Sequence, residues 1–119
     1  LHATHSVAVS VLQDVNADDV LPPLTAYYVM RIGRLPLIPF FPPGDVHLAE
    51  AVRGYASEHH AVLLANHGPV VAGRSLAAAI DAIEELEATA KLYLLLRHER
   101  CRALTSELVA EVSARLATR

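Results

Sequence analysis

The chain has 119 residues, enough for one domain that buries roughly two-thirds of the surface its unfolded form exposes. A hydrophobic fraction of 53% against 19% charged residues excludes intrinsic disorder. The net charge of -3, without a basic stripe, argues against nucleic acid as a partner, and no apolar run approaches the ~20 residues that span a bilayer. Cys101 is the single cysteine, so no internal disulfide is available and a reducing, cytoplasmic compartment is expected. Leu1 stands first, with no charged and then apolar leader behind it. A signal peptide is therefore not expected, and the chain is expected to begin inside a longer protein.

The first predicted element is ambiguous. Val7 to Leu12 alternates apolar and small residues like a strand, yet Thr4 could cap a helix over the same positions. Prolines at 22, 23, 36, 39, 42 and 43 exclude a long helix in the next segment. Leu24 to Ile32 and Leu35 to Phe41 are rich in strand-forming residues and flank Gly33-Arg34, so they read as an antiparallel pair around a tight turn. Asp45 then caps a helix running to about Glu58, on the spacing of Val46, Ala49, Val52 and Ala56.

Ala61 to Ala65 and Pro69 to Ala72 read as two strands joined at a sharp corner, Asn66-His67-Gly68. Ser75 caps the longest helix, with an apolar stripe of Leu76, Ala79, Ile80, Ile83, Leu86, Ala90, Tyr93 and Leu94. Glu87 and Lys91 lie four apart on it and read as a solvated ion pair without chemistry. A final helix begins after Thr105 and carries Leu108, Val109, Val112 and Leu116 on one side.

The seven histidines are the residues best suited to chemistry. His47 and His98 fall on exposed helix positions, and the neighbours His59 and His60 diverge too far around a helix end to chelate one ion together. His2 and His5 share a face only if their segment is helical. His67 stands apart, because Gly68 and Pro69 fix a corner from which its ring can project. A ligand or catalytic role and a structural hydrogen bond both suit it. No carboxylate pair, nucleophile elbow or phosphate-cradling glycine loop competes with it.

In order along the chain, His2-Ala3-Thr4-His5-Ser6, Val7-Ala8-Val9-Ser10, Leu63-Leu64-Ala65-Asn66-His67-Gly68-Pro69 and Glu84-Glu85-Leu86-Glu87-Ala88-Thr89-Ala90-Lys91 resemble the class II aldolase/adducin family. The segments Leu21 to Arg31 and Pro42-Pro43-Gly44-Asp45 are similar to a sugar-acid branch of it. The resemblance implies a three-layer α/β/α fold around a mixed, largely antiparallel sheet. It favours a helix over Val7 to Leu12, and makes residues 1–119 the C-terminal portion of a single domain.

It further implies a divalent metal, most often Zn2+, held by a His-x-His pair and a later histidine. His2 would be the second of the pair and His67 the later ligand. The first histidine, an upstream acid and the segments that bind phosphate would lie outside these residues. A four-coordinate centre is not expected from this polypeptide alone. The role of His5 stays open.

A tyrosine from a neighbouring subunit of a homotetramer would move the proton, and the place corresponds to Tyr27 or Tyr28. Were both on a strand, one would face the core and the other solvent. The implied activity is that of a metal-dependent carbon-carbon lyase, releasing CO2 from a phosphorylated 3-oxo-tetronate to leave a triose phosphate. The alternatives are a sugar-phosphate aldolase or epimerase and, from another class, a non-catalytic adducin-like interaction domain.

Overall fold

Two faces of one small sheet organise the chain, and a computed structural model describes residues 3–117 of it. In order, the elements are α1 (Thr4–Ser10), α2 (Ala26–Arg31), β1 (Leu37–Ile38), α3 (Val46–Tyr55), β2 (Ala61–Leu64), β3 (Gly68–Val71), α4 (Leu76–Leu96) and α5 (Ser106–Ala117). The strands lie in the order β1-β2-β3. β1 runs parallel to β2, pairing Leu37 with Leu63, and β2 runs antiparallel to β3, pairing Leu64 with Gly68.

All four residues of β2 are buried, as a central strand covered on both faces requires. Alternation along the strand sends Ala61 and Leu63 into the main core with Val9, Tyr28, Ile32, Leu35, Leu86 and Ala90. Val62 and Leu64 point the other way, with Ile38, onto Leu48, Ala51 and Val52 of α3. The layers are therefore α1, α2 and α4 on one face, the mixed sheet, and α3 on the other, as the family resemblance implied. No helix among the described residues is long and apolar enough to cross a membrane.

The predicted antiparallel pair of Leu24–Ile32 with Leu35–Phe41 does not form. Residues 26–31 are helical instead, and both helix ends are set by local chemistry. Thr25 Oγ1 accepts the N–H of Tyr28 at 3.2 Å, capping the start. At the other end Gly33, at φ 73°, donates its N–H back to the Tyr28 carbonyl at 3.1 Å, so the glycine stops a helix rather than turning a hairpin. The flank of the 35–37 segment is already engaged, because Val20 and Leu35 share a 2.8 Å bond and Leu37 donates to Ala17 at 2.8 Å. Tertiary pairing thus overrides the strand propensity of Tyr, Val and Ile.

The other elements follow their predicted caps. Asp45 Oδ1 accepts from His47, Ser75 Oγ from Ala78 and Thr105 Oγ1 from Leu108. Two expectations shift. On α4 the buried residues are Ala82, Leu86, Thr89 and Ala90, while Leu76 and Ile80 at the start of the predicted stripe are exposed. Thr4 is the first residue of α1 rather than its cap; Ala3 holds the cap position and offers no side-chain acceptor.

Candidate functional site

The Asn-His-Gly corner connects β2 to β3 in three turn residues. Asn66 sits at φ 57°, in the left-handed region that asparagine tolerates better than most residues. His67 donates its N–H to the Leu64 carbonyl at 3.1 Å. Gly68, at φ 152°, carries no Cβ, and one added there would meet Val7 Cγ2 of α1 at 3.4 Å. The corner is thereby held against α1, and the bond from Asn66 N–H to the Ser10 carbonyl, 3.1 Å, ties it to that helix's last turn.

His67 projects outward, exposed, from this rigid base. It lines a groove of about 380 Å³ with Ala3, Val7, Leu64, Pro69 and Ile83. No described residue hydrogen-bonds its ring, so no protein partner engages either ring nitrogen among the described residues. Ala3, which His2 precedes in sequence, lines the same groove; His2 itself lies outside the described residues. An adjoining groove of about 290 Å³ shares Ala3 and Ile83 and adds His5, Glu84, Glu87 and Lys91.

Glu87 was expected to face solvent beside Lys91, and no ion pair joins the two among the described residues. Its carboxylate crosses instead to the start of α1. Oε2 accepts the His5 N–H at 3.0 Å and lies 2.6 Å from His5 Nδ1, while Oε1 accepts the Ser6 N–H at 2.9 Å and its hydroxyl at 3.0 Å. An ionised carboxylate only accepts, so His5 carries its proton on Nδ1. The arrangement supplies the helix cap that Ala3 lacks, from a residue 81–82 positions away. Nothing local in the sequence marks this contact; Glu87 looks like any helix-surface acid.

Burial pushes the Glu87 carboxyl up, but the His5 and Ser6 hydrogen bonds outweigh it and hold the group below the ordinary glutamate value. A carboxyl with a depressed folded-state value stabilises the fold above its unfolded value and loses that contribution as pH falls through the lowered one. Acid titration of stability should therefore show a component below pH 4.5 that Glu87→Gln removes, read by denaturant midpoints across the acid range.

The two tyrosines occupy different environments, and on a helix rather than a strand. Tyr27 is 61% exposed and carries the Arg31 guanidinium 5.4 Å over its ring. Tyr28 is 1% exposed in the main core, and its hydroxyl has no hydrogen-bond partner among the described residues. Burial first, and the nearby Asp19 charge second, push the Tyr28 phenol far up, so it keeps its proton. Neither tyrosine lines the His67 groove. Removing an unsatisfied buried hydroxyl should cost nothing: Tyr28→Phe is expected to leave stability unchanged or raise it by about 1 kcal/mol, measured by urea unfolding.

The remaining histidines are surface features, as expected. His47 pairs with Asp45 at 2.9 Å, and His59 Nδ1 sits 3.3 Å from the Tyr55 carbonyl. Among the described residues no three His, Cys, Asp or Glu side chains come together to hold a metal. His67 suits the role of one ligand, and the described donor set does not complete a centre.

An α/β/α layer structure with a histidine on an Asn-His-Gly corner beside a short helix matches a known architecture. Residues 1–94 match the Class II Aldolase and Adducin N-terminal domain, and the chain belongs to that family. It is 47% identical over 113 residues to the 3-oxo-tetronate 4-phosphate decarboxylase of Pectobacterium atrosepticum, covering 95% of this chain and 52% of that protein. The enzyme of the same name from Haemophilus influenzae is 42% identical, over 97% of this chain and 55% of that protein. The solved structure of YgbL from Escherichia coli superposes with a TM-score of 0.90 at 46% identity, over 94% of this chain and 54% of that one. L-fuculose 1-phosphate aldolase shares the fold, with a TM-score of 0.76 at 23% identity over 96% of this chain and 52% of that one. The chain spans about half the length of the curated relatives it matches.

Proposed function

We propose that residues 1–119 are the C-terminal portion of the catalytic domain of a class II aldolase-type lyase. The whole protein would release CO2 from a 3-oxo-tetronate 4-phosphate and leave a triose phosphate. The observation that carries this reading is the exposed His67 ring on its fixed corner, facing a groove that Ala3 also lines. Identity of 42–47% to decarboxylases of that name, through this corner, supports the substrate class.

In this reading His67 and His2 donate imidazole nitrogens to a divalent ion of the Zn2+ type, completed by groups outside these residues. Such an ion supplies, when bound, a Lewis acid that draws the electron pair left by the departing carboxylate. The chain's own residues orient and protonate. The Asn66 N–H bond to the Ser10 carbonyl and the close approach of buried Gly68 to Val7 keep His67 from wandering, and Tyr27, accessible to solvent, delivers a proton to carbon from its hydroxyl.

Tyr27 lies outside the His67 groove, which supports its action in the site of a neighbouring subunit of a homotetramer. Tyr28 is left out because its hydroxyl is buried. The exposed free thiol of Cys101 supports a reducing, cytoplasmic setting.

The test is incubation of the whole protein with phosphorylated 3-oxo-tetronate, following CO2 and triose phosphate. Both should form, chelator should stop the reaction and added divalent metal should restore it. Cleavage to aldehyde and ketone fragments without CO2 would replace this reading with an aldolase, and no turnover of either kind would favour a binding domain.

A further inference from the structure

Glu87 belongs to no feature that the proposed function uses, yet it is the side chain with the most hydrogen bonds among the described residues. Both its oxygens are saturated by groups of α1, two of them backbone N–H groups that the helix cannot satisfy itself. A seven-residue helix is too short to be stable alone, so its position depends on what holds its ends. Glu87 holds the first turn. The last turn holds the Asn66 N–H through the Ser10 carbonyl, and the middle turn presses Val7 against Gly68.

We propose that Glu87 is a positioning residue for His67, acting through α1 as a strut between the middle of α4 and the Asn-His-Gly corner. The consequence for a bound metal rests on the reading of His67 as a ligand given above; the mechanical coupling does not. The carboxylate is required in both its oxygens. Glutamine keeps one acceptor, enough for the Ser6 pair, and presents an NH2 group to the His5 N–H, which is a donor facing a donor. Alanine keeps neither. The expected order of disturbance is therefore wild type, Glu87→Gln, Glu87→Ala.

Hydrogen exchange on the whole protein tests the coupling without reference to activity. Glu87→Ala should speed amide exchange in residues 4–10 and in the corner 64–68 by about tenfold or more, with α2 and α5 unchanged. Glu87→Gln should fall between Ala and wild type, and serves as the test if the alanine variant does not fold. In parallel, cobalt(II) titration should show affinity falling about 10- to 100-fold in Glu87→Ala and less in Glu87→Gln, as for groups that orient a ligand.

Wild-type exchange at 64–68 in both variants would overturn the proposal. So would equal acceleration in α2 and α5, because Glu87 would then serve general stability only. If His67→Ala keeps full cobalt binding, the ligand reading fails, and the exchange data still decide whether Glu87 places the corner.

Discussion

Replacing Leu86 by alanine is expected to cost about 3–4 kcal/mol of stability, the range for emptying a well-packed leucine site. Leu86 is 0% exposed and sits in the middle of α4, inside the core that gathers Val9 of α1, Tyr28 of α2 with Ile32 just after it, and Leu63 of β2. The elements that form one face of the sheet thus converge on it, so its removal leaves a cavity that none of them can fill alone. Leu76→Ala on the same helix is the control. At 79% exposure it should change stability by less than about 0.5 kcal/mol. Urea unfolding of the two variants checks the pair, and a loss below about 1 kcal/mol at position 86 would contradict its central place.

His67→Ala is expected to behave in the opposite way, sparing the fold and removing function. The ring is exposed and bonds to no described residue, so stability should stay within about 0.5 kcal/mol of wild type. If His67 is a metal ligand as proposed, turnover of the phosphorylated oxo acid by the whole protein should fall by at least about 100-fold, since loss of a ligand exceeds the loss of a group that merely orients one. Metal content per subunit, measured on the purified protein, should drop with it. Retained metal at wild-type stoichiometry would remove His67 from the ligand set.

Most elements were legible because their signals are local. Asp45, Ser75 and Thr105 each sit two or three residues from the N–H they cap, and the apolar run 61–64, short and followed by a turn at Asn66, reads as a buried strand. The segment 24–32 failed for the same reason in reverse. Its composition favours a strand, but a strand needs a partner, and the available flank of the 35–37 segment was taken by residues 17–20. Thr25 and Gly33 then read as helix cap and helix stop, roles their sequence neighbours do not disclose. The pairing of β1 with β2 is parallel, which demands the intervening α3 crossover and could not come from a two-residue turn.

The site divides along the same line. His67 on its corner was visible in sequence, because the asparagine and glycine that shape the turn stand beside it. The difference between Tyr27 and Tyr28 was not visible: adjacent residues on a helix point about 100° apart, and only packing decides which faces the core.

By itself, the amino-acid sequence determined the caps at Asp45, Ser75 and Thr105, the buried strand and the His67 turn, each carried by residues within a few positions of one another, and the family likeness, carried by short motifs along the chain. Only the tertiary structure decided that residues 26–31 are helical, that Tyr28 is buried, and that Glu87 reaches His5 and Ser6 across 81–82 positions. The physical reason is the range of the interaction. A cap or turn is closed by neighbouring atoms, whereas strand partners, buried faces and a carboxylate's distant donors are chosen only when the whole chain competes for them.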